Sequence, residues 1–82
     1  MLIQTYQKMM IIDTKQLADD VASLRKHRDQ SMDAVCKEIG ISKPTFSRIE
    51  KGSMPDALTL LKVCEWLCVN PINYLREKKQ KS

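Results

Sequence analysis

Both glycines of this chain fall inside one short stretch, Cys36–Gly52, "CKEIGISKPTFSRIEKG", and that placement constrains the fold more than any other feature. Val35, Cys36 and Ile39 recur at helical spacing. Gly40 stands one position past them, where a helix that must stop needs left-handed backbone. Ile41 follows as an expected buried plug. Ser42 is a good N-cap residue, and Pro44 lies in the first turn after it, where amides have no partner within the helix. Phe46 and Ile49, three apart, share one face, and Gly52 ends the run. Ser31 supplies the cap for the first segment. The stretch therefore predicts two short helices, about 32–39 and 43–51, joined by a tight turn.

No strand alternation is sustained elsewhere, and the periodic signal is helical throughout. Asp13 with Gln16 forms a capping-box pattern, and Leu17, Val21 and Leu24 line a helix over about 14–29, with Ala18 and Ala22 beside them. Asp19 and Asp20 lie early in that helix and Arg25, Lys26 and Arg28 late, which suits its dipole. Asp56 caps a fourth helix whose inward positions are Leu60, Leu61, Val63, Cys64, Leu67 and Trp66. Asn70 and Pro71 open a short fifth helix with Ile72, Tyr74 and Leu75. Residues 1–12 are apolar and read equally as a helical face, an arm or a short strand, with Met9 and Met10 as alternative starts. The expected organisation is an N-terminal arm over 1–13, an all-α five-helix domain over 14–76 and a polar tail over 77–82. Within it, the pair around Gly40 has helix-turn-helix geometry.

At 82 residues the chain fits one domain. A domain this small buries only about 60% of its unfolded surface, so dimerisation would help it. With four aromatic residues, the core must come from Leu, Ile, Val and Met. The net charge of +4 is spread along the chain and permits a polyanionic partner without demanding one. Cys36, Cys64 and Cys68 are an odd set without paired spacing, which argues against a disulfide framework and fits a reducing cytoplasm. Three thiols could bind a metal, but there is no CxxC, and the lone His27 lies on another helix. Burial as small hydrophobes is the expected role, with no metal and no cofactor. No apolar run approaches a membrane span, and the N-terminus lacks the charged start of a signal peptide. Paired carboxylates, a nucleophile–histidine set and a glycine-rich phosphate loop are all missing, so no enzyme and no small-molecule substrate are expected.

Three stretches, "LRKHRD", "SMDAVCKEIGISKPTFSRIEKG" and "PDALTLLKVCEWLCVNPINYL", together resemble the phage repressor and Cro family of helix-turn-helix domains, the xenobiotic-response-element type. The resemblance implies a lambda-repressor-like fold whose second paired helix enters the major groove of double-stranded DNA. Carried over, Lys43, Pro44, Thr45, Ser47 and Arg48 become the base-contacting positions. Helical arithmetic agrees, since burying Phe46 and Ile49 puts 44, 47, 48 and 51 on the opposite arc. Arg48 has a planar fork matching guanine O6 and N7. Lys43 reaches guanine or phosphate, Pro44 can offer only apolar contact, and Thr45 and Ser47 can bond base or phosphate.

Phosphate contacts are expected from helix N-termini and nearby turns, at Ser31, Ser42, Lys51 and Ser53. Many family members carry a glutamine where this chain has Met32, which has no donor. Asp33 beside it reads as a complement to the helix dipole. Arg25 and Glu50 match positions that often form an ion pair between the first helix and the recognition helix. Cys68 replaces the glycine usual at that helix end, which suggests an altered turn. Lys26, His27 and Arg28 could face DNA or complement a helix C-terminus, and Lys78, Lys79 and Lys81 read as a solvated tail. Family members usually bind as homodimers, and the expected interface is Trp66, Ile72, Tyr74 and Leu75, with residues 1–12 as a further candidate. The implied function is a small homodimeric repressor. The alternative is a protein-interaction module of the same fold, such as an antitoxin or antirepressor.

Overall fold

The computed structural model describes residues 9–78. Strand β1 (Met9–Ile12) leads into α1 (Thr14–His27), α2 (Met32–Ile39), α3 (Lys43–Glu50) and α4 (Ala57–Leu67), followed by one 3-10 turn (Pro71–Tyr74) and strand β2 (Leu75–Lys78). Each α-helix starts on a side-chain cap. Asp13 accepts from the Gln16 amide at 2.9 Å, Ser31 from Ala34 at 3.1 Å, Ser42 from Thr45 at 3.3 Å and Asp56 from Thr59 at 2.8 Å. The backbone amide of Thr59, and after it the Thr59 side chain, hydrogen-bond to the Asp56 carboxylate and hold it below the usual aspartate range.

All four helices also stop in the same way. Asp29, Gly40, Gly52 and Cys68 take positive φ, at 53, 84, 92 and 59°. The residue after each sends its amide back to close the last turn: Gln30 to Arg25 O at 3.0 Å, Ile41 to Cys36 O at 3.1 Å, Ser53 to Arg48 O at 2.9 Å and Val69 to Cys64 O at 3.0 Å. These are Schellman closures, which satisfy carbonyls that a helix end leaves open. Only two use glycine. Asp29 stops α1 at His27, short of the expected 29.

The core draws on every helix. Leu17 and Val21 from α1, Val35, Cys36 and Ile39 from α2, Phe46 and Ile49 from α3, and Leu60, Val63 and Cys64 from α4 form one buried cluster with Tyr74. Ile12, Met32, Ile41, Trp66, Leu67 and Val69 pack against its edge. Ile41 is thus half-buried rather than a full plug, and Leu24 is also only half-buried. Leu61, expected inward, is 54% exposed. Truncating a side chain such as Phe46 to alanine in a core of this kind costs roughly 3–5 kcal/mol.

Among the described residues, the five-helix count is corrected to four α-helices, a 3-10 turn and a two-stranded ribbon. Asn70 does cap the turn, accepting from the Ile72 amide at 3.0 Å. A single turn gains too little hydrogen bonding to propagate alone, and the chain beyond it finds better partners in β1. Tyr74 O accepts from the Asp13 amide at 2.7 Å, and β2 then pairs antiparallel with β1, Ile12 opposite Leu75 and Met9 opposite Lys78. Leu75 therefore belongs to a strand, and the backbone of residues 77 and 78, the start of the expected polar tail, is paired instead of trailing. Expectations for residues 1–8 and for Lys79 and Lys81 lie outside the described residues, as does that for the Lys78 side chain.

Tyr74 anchors the C-terminal segment. It is 1% exposed, and its hydroxyl donates to Asp20 Oδ2 at 2.6 Å. Burial, then the hydrogen bond to Asp20, push the phenol well above its ordinary value, so it remains a protonated donor.

Candidate nucleic-acid interface

Helix α3 owes its orientation to Phe46 and Ile49, which are 0% and 1% exposed. With these two inward, Lys43, Pro44 and Arg48 are exposed, and Thr45 and Ser47 are half-buried. Lys51, just past the helix, is also exposed. The five expected base-contacting side chains therefore share one helix, with Pro44, Ser47 and Arg48 on its outer arc and Lys43 and Thr45 nearer its margins.

Their hydrogen bonds distinguish them. Lys43 Nζ lies 3.1 Å from Asp33 Oδ1, and both side chains are mostly exposed. Asp33 is thus part of the α3 surroundings, a link that its position as a helix-dipole complement did not reveal. Ser42 Oγ accepts the Thr45 amide and donates its own proton to Thr45 Oγ1 at 2.8 Å. The Ser42 hydroxyl is occupied inside the cap, which leaves the Thr45 proton free to point outward. Ser31 Oγ accepts the Ala34 amide, with its own proton left to donate. The Ser53 amide is taken up by Arg48 O, so only its side chain is available.

Behind α3, Arg25 and Glu50 form a two-point pair. Arg25 Nε donates to Glu50 Oε2 at 2.9 Å and Nη2 to Oε1 at 3.3 Å, with the side chains 24% and 15% exposed. Arg25 Nη1 also reaches Gln30 O at 3.5 Å, so the same guanidinium spans α1, α3 and the α1–α2 loop.

A second polar cluster holds α2 to α4. Trp66 Nε1 donates to Glu38 Oε1 at 2.8 Å, Gln30 Nε2 to Glu38 Oε2 at 3.1 Å, and Arg28 lies 5.6 Å from the Trp66 ring centroid. Arg28 is therefore engaged within the chain, whereas Lys26 and His27 are exposed. Of the expected interface residues, Tyr74 is withdrawn into the core and Trp66 is half-buried and bonded. Ile72 and Leu75 remain outward at 68% and 37% exposure. The signals for these contacts were weak. Asp20 lies three residues after buried Leu17, on the flank of the apolar stripe, and Glu38 gave no cue beyond its charge.

Cys36 and Cys64 are buried and Cys68 is exposed. Burial pushes the two inner thiols up, so they stay protonated and unreactive. Among the described residues, no group of three or more His, Cys, Asp or Glu side chains could hold a metal, and no helix is long and apolar enough to cross a membrane.

Residues 21–67 match the family model described as helix-turn-helix. The crystal structure of an HTH_3 family transcriptional regulator from Vibrio cholerae aligns with a TM-score of 0.61 and 34% identity over 74% of this chain. The chain spans 35% of that protein's length. The crystal structure of the transcriptional regulator VanUg aligns over 98% of this chain and 100% of its own, with a TM-score of 0.56 and 20% identity, a likeness of fold alone. No curated protein matches the chain.

Proposed function

This chain belongs to the helix-turn-helix family, and on that premise we propose that it is a sequence-specific DNA-binding transcriptional regulator, a small homodimeric repressor of the phage repressor and Cro-like, xenobiotic-response-element type. The observation that carries the reading is the outer arc of α3. With its margins it offers Lys43, Ser47 and Arg48 with no acid among positions 44, 47 and 51. The paired Arg25 and Glu50 set the pose of α3 from behind.

In this reading α3 lies in the major groove with its N-terminal half at the base edges. Arg48 presents its fork to a guanine. Lys43 exchanges Asp33 for a phosphate or a guanine. The exchange costs little, because an exposed ion pair is worth about 1 kcal/mol or less. Pro44 lends apolar contact to a thymine methyl. Thr45 takes over the donor role that the sequence suggested for Ser42, and Ser47 bonds base or phosphate. Ser31, Lys51 and Ser53 contact the backbone. One such helix touches few base pairs, so two copies on half-sites one helical turn apart supply the specificity. The reading requires no cofactor, metal or small-molecule substrate, is non-enzymatic, and places the protein in the cytoplasm with its reduced thiols.

A second reading, an antitoxin or antirepressor that binds another protein, is supported by Met54, Leu58 and Leu61, which are 55%, 64% and 54% exposed. A mobility-shift titration on random-sequence duplex over a salt series separates the two. The DNA reading predicts affinity that falls steeply with salt as counterions are released. Absence of binding at low salt would favour the second.

A further inference from the structure

We propose that two copies of this chain join through the edge of β1 that faces away from β2, forming a continuous four-stranded sheet with Ile11 of each copy on the two-fold axis. The inference deepens the homodimer reading above and rests on it.

The geometry of the ribbon identifies the edge. Antiparallel ladders alternate between bonded and non-bonded pairs. The Asp13 amide donates to Tyr74 O, which marks 13 and 74 as a bonded pair. By the register, Ile11 with Arg76 and Met9 with Lys78 are then bonded, whereas Met10 with Glu77 and Ile12 with Leu75 are not. The N–H and C=O groups of Met10 and Ile12 therefore point away from β2. Among the described residues no hydrogen bond reaches them.

Charge then separates the two edges. Strand β2 carries Arg76, Glu77 and Lys78, and Arg76 Nη1 folds back onto Leu75 O at 3.1 Å, occupying an outward carbonyl. Charged side chains guard an edge strand in this way. Strand β1 reads Met-Met-Ile-Ile, without a charge, and Met10 and Ile11 are 47% and 46% exposed. In a symmetric antiparallel pair, opposed residues lie on the same face, so their numbers differ by an even count. Pairing two β2 edges about Arg76 sets Arg76 against Arg76, and pairing about Glu77 sets Glu77 against Glu77 and Arg76 against Lys78. Both are destabilising. Pairing β1 with a second copy's β2 leaves an edge open on each side and propagates instead of closing. Pairing β1 with β1 about Ile11 avoids all of this. Met10 bonds Ile12 of the partner twice over by symmetry, and the two Ile11 side chains meet in the close, non-bonded position. A two-stranded ribbon, marginal by itself, becomes part of a larger sheet.

The test uses the full chain and sedimentation equilibrium. Met10→Pro removes an outward amide and leaves the ladder with β2 intact, since that amide bonds nothing there. The variant should raise the dimer dissociation constant roughly 10- to 30-fold through two lost intermolecular bonds. Ile72→Lys, at the exposed position expected from sequence, should leave it unchanged. Ile11→Cys in a Cys68→Ser background should form a disulfide-linked dimer on mild oxidation, which keeps the proposal testable if Met10→Pro unfolds. A monomeric wild-type chain would overturn it. So would a dimer that resists Met10→Pro and fails to cross-link through position 11. Duplex binding by the same variants is scored separately: a cross-linked dimer that binds no DNA would sustain the interface and reject the DNA reading.

Discussion

Glu50 receives both Nε and Nη2 of Arg25, at 2.9 and 3.3 Å, across the boundary between α1 and α3. A largely covered pair of this kind fixes geometry more than it adds stability, because desolvation offsets much of the attraction. Removing one partner should therefore hurt twice. Glu50→Ala is expected to destabilise the fold by about 1–3 kcal/mol by leaving Arg25 uncompensated, and to weaken DNA binding by misplacing α3. Arg25→Met combined with Glu50→Met should recover stability without recovering affinity. Denaturant unfolding alongside binding titrations measures both. A Glu50→Ala protein with full affinity would mean that the pair does not position the helix.

Asp33 is held against Lys43, 3.1 Å from its amine. Asp33→Asn removes a negative charge beside the groove-facing helix and releases Lys43 from an exposed pair worth about 1 kcal/mol or less. Binding at low salt should tighten by about two- to fivefold, and the gain should shrink as salt screens it. Weaker binding would assign Asp33 a direct role in recognition instead.

Cys68 closes α4 at φ 59°, in the position that Gly40 and Gly52 fill for α2 and α3. Left-handed backbone costs a residue with a Cβ roughly 1–2 kcal/mol, part of which the greater freedom of unfolded glycine offsets. Cys68→Gly should stabilise the protein by about 0.5–1 kcal/mol and raise its melting temperature by several degrees. Gly40→Ala should destabilise it by about 1–2 kcal/mol, from backbone strain alone, since a Cβ there meets nothing within 4 Å. Calorimetry on both variants decides the sign. A destabilised Cys68→Gly protein would show that the thiol contributes more than its conformation costs.

Much of the architecture was legible because short-range rules govern it. Asp13, Ser31, Ser42 and Asp56 each announce a helix start, and Val35, Cys36, Ile39, Phe46 and Ile49 mark two inward faces at fixed spacing. The Asp29 closure escaped notice because aspartate is only an occasional left-handed residue. The β-ribbon was legible only in part: a short strand is one of the readings open for residues 1–12, but four residues a side are too few for alternation to declare itself, and β2 is mostly charged. Its pairing is decided between opposite ends of the chain, through the Asp13–Tyr74 bond. The same holds at the candidate site. The outward arc of α3 follows from its buried residues, but Lys43 with Asp33, Trp66 with Glu38 and Tyr74 with Asp20 depend on how helices meet.

Selection of bound sites from a random duplex library, followed by titration of the recovered site with wild type and Arg48→Ala, tests the central claim most directly. The account predicts a palindrome with half-site centres about 10 base pairs apart. It also predicts that Arg48→Ala costs about 1–3 kcal/mol and flattens the preference at one base pair in each half-site. A library with no enrichment over its input would contradict it.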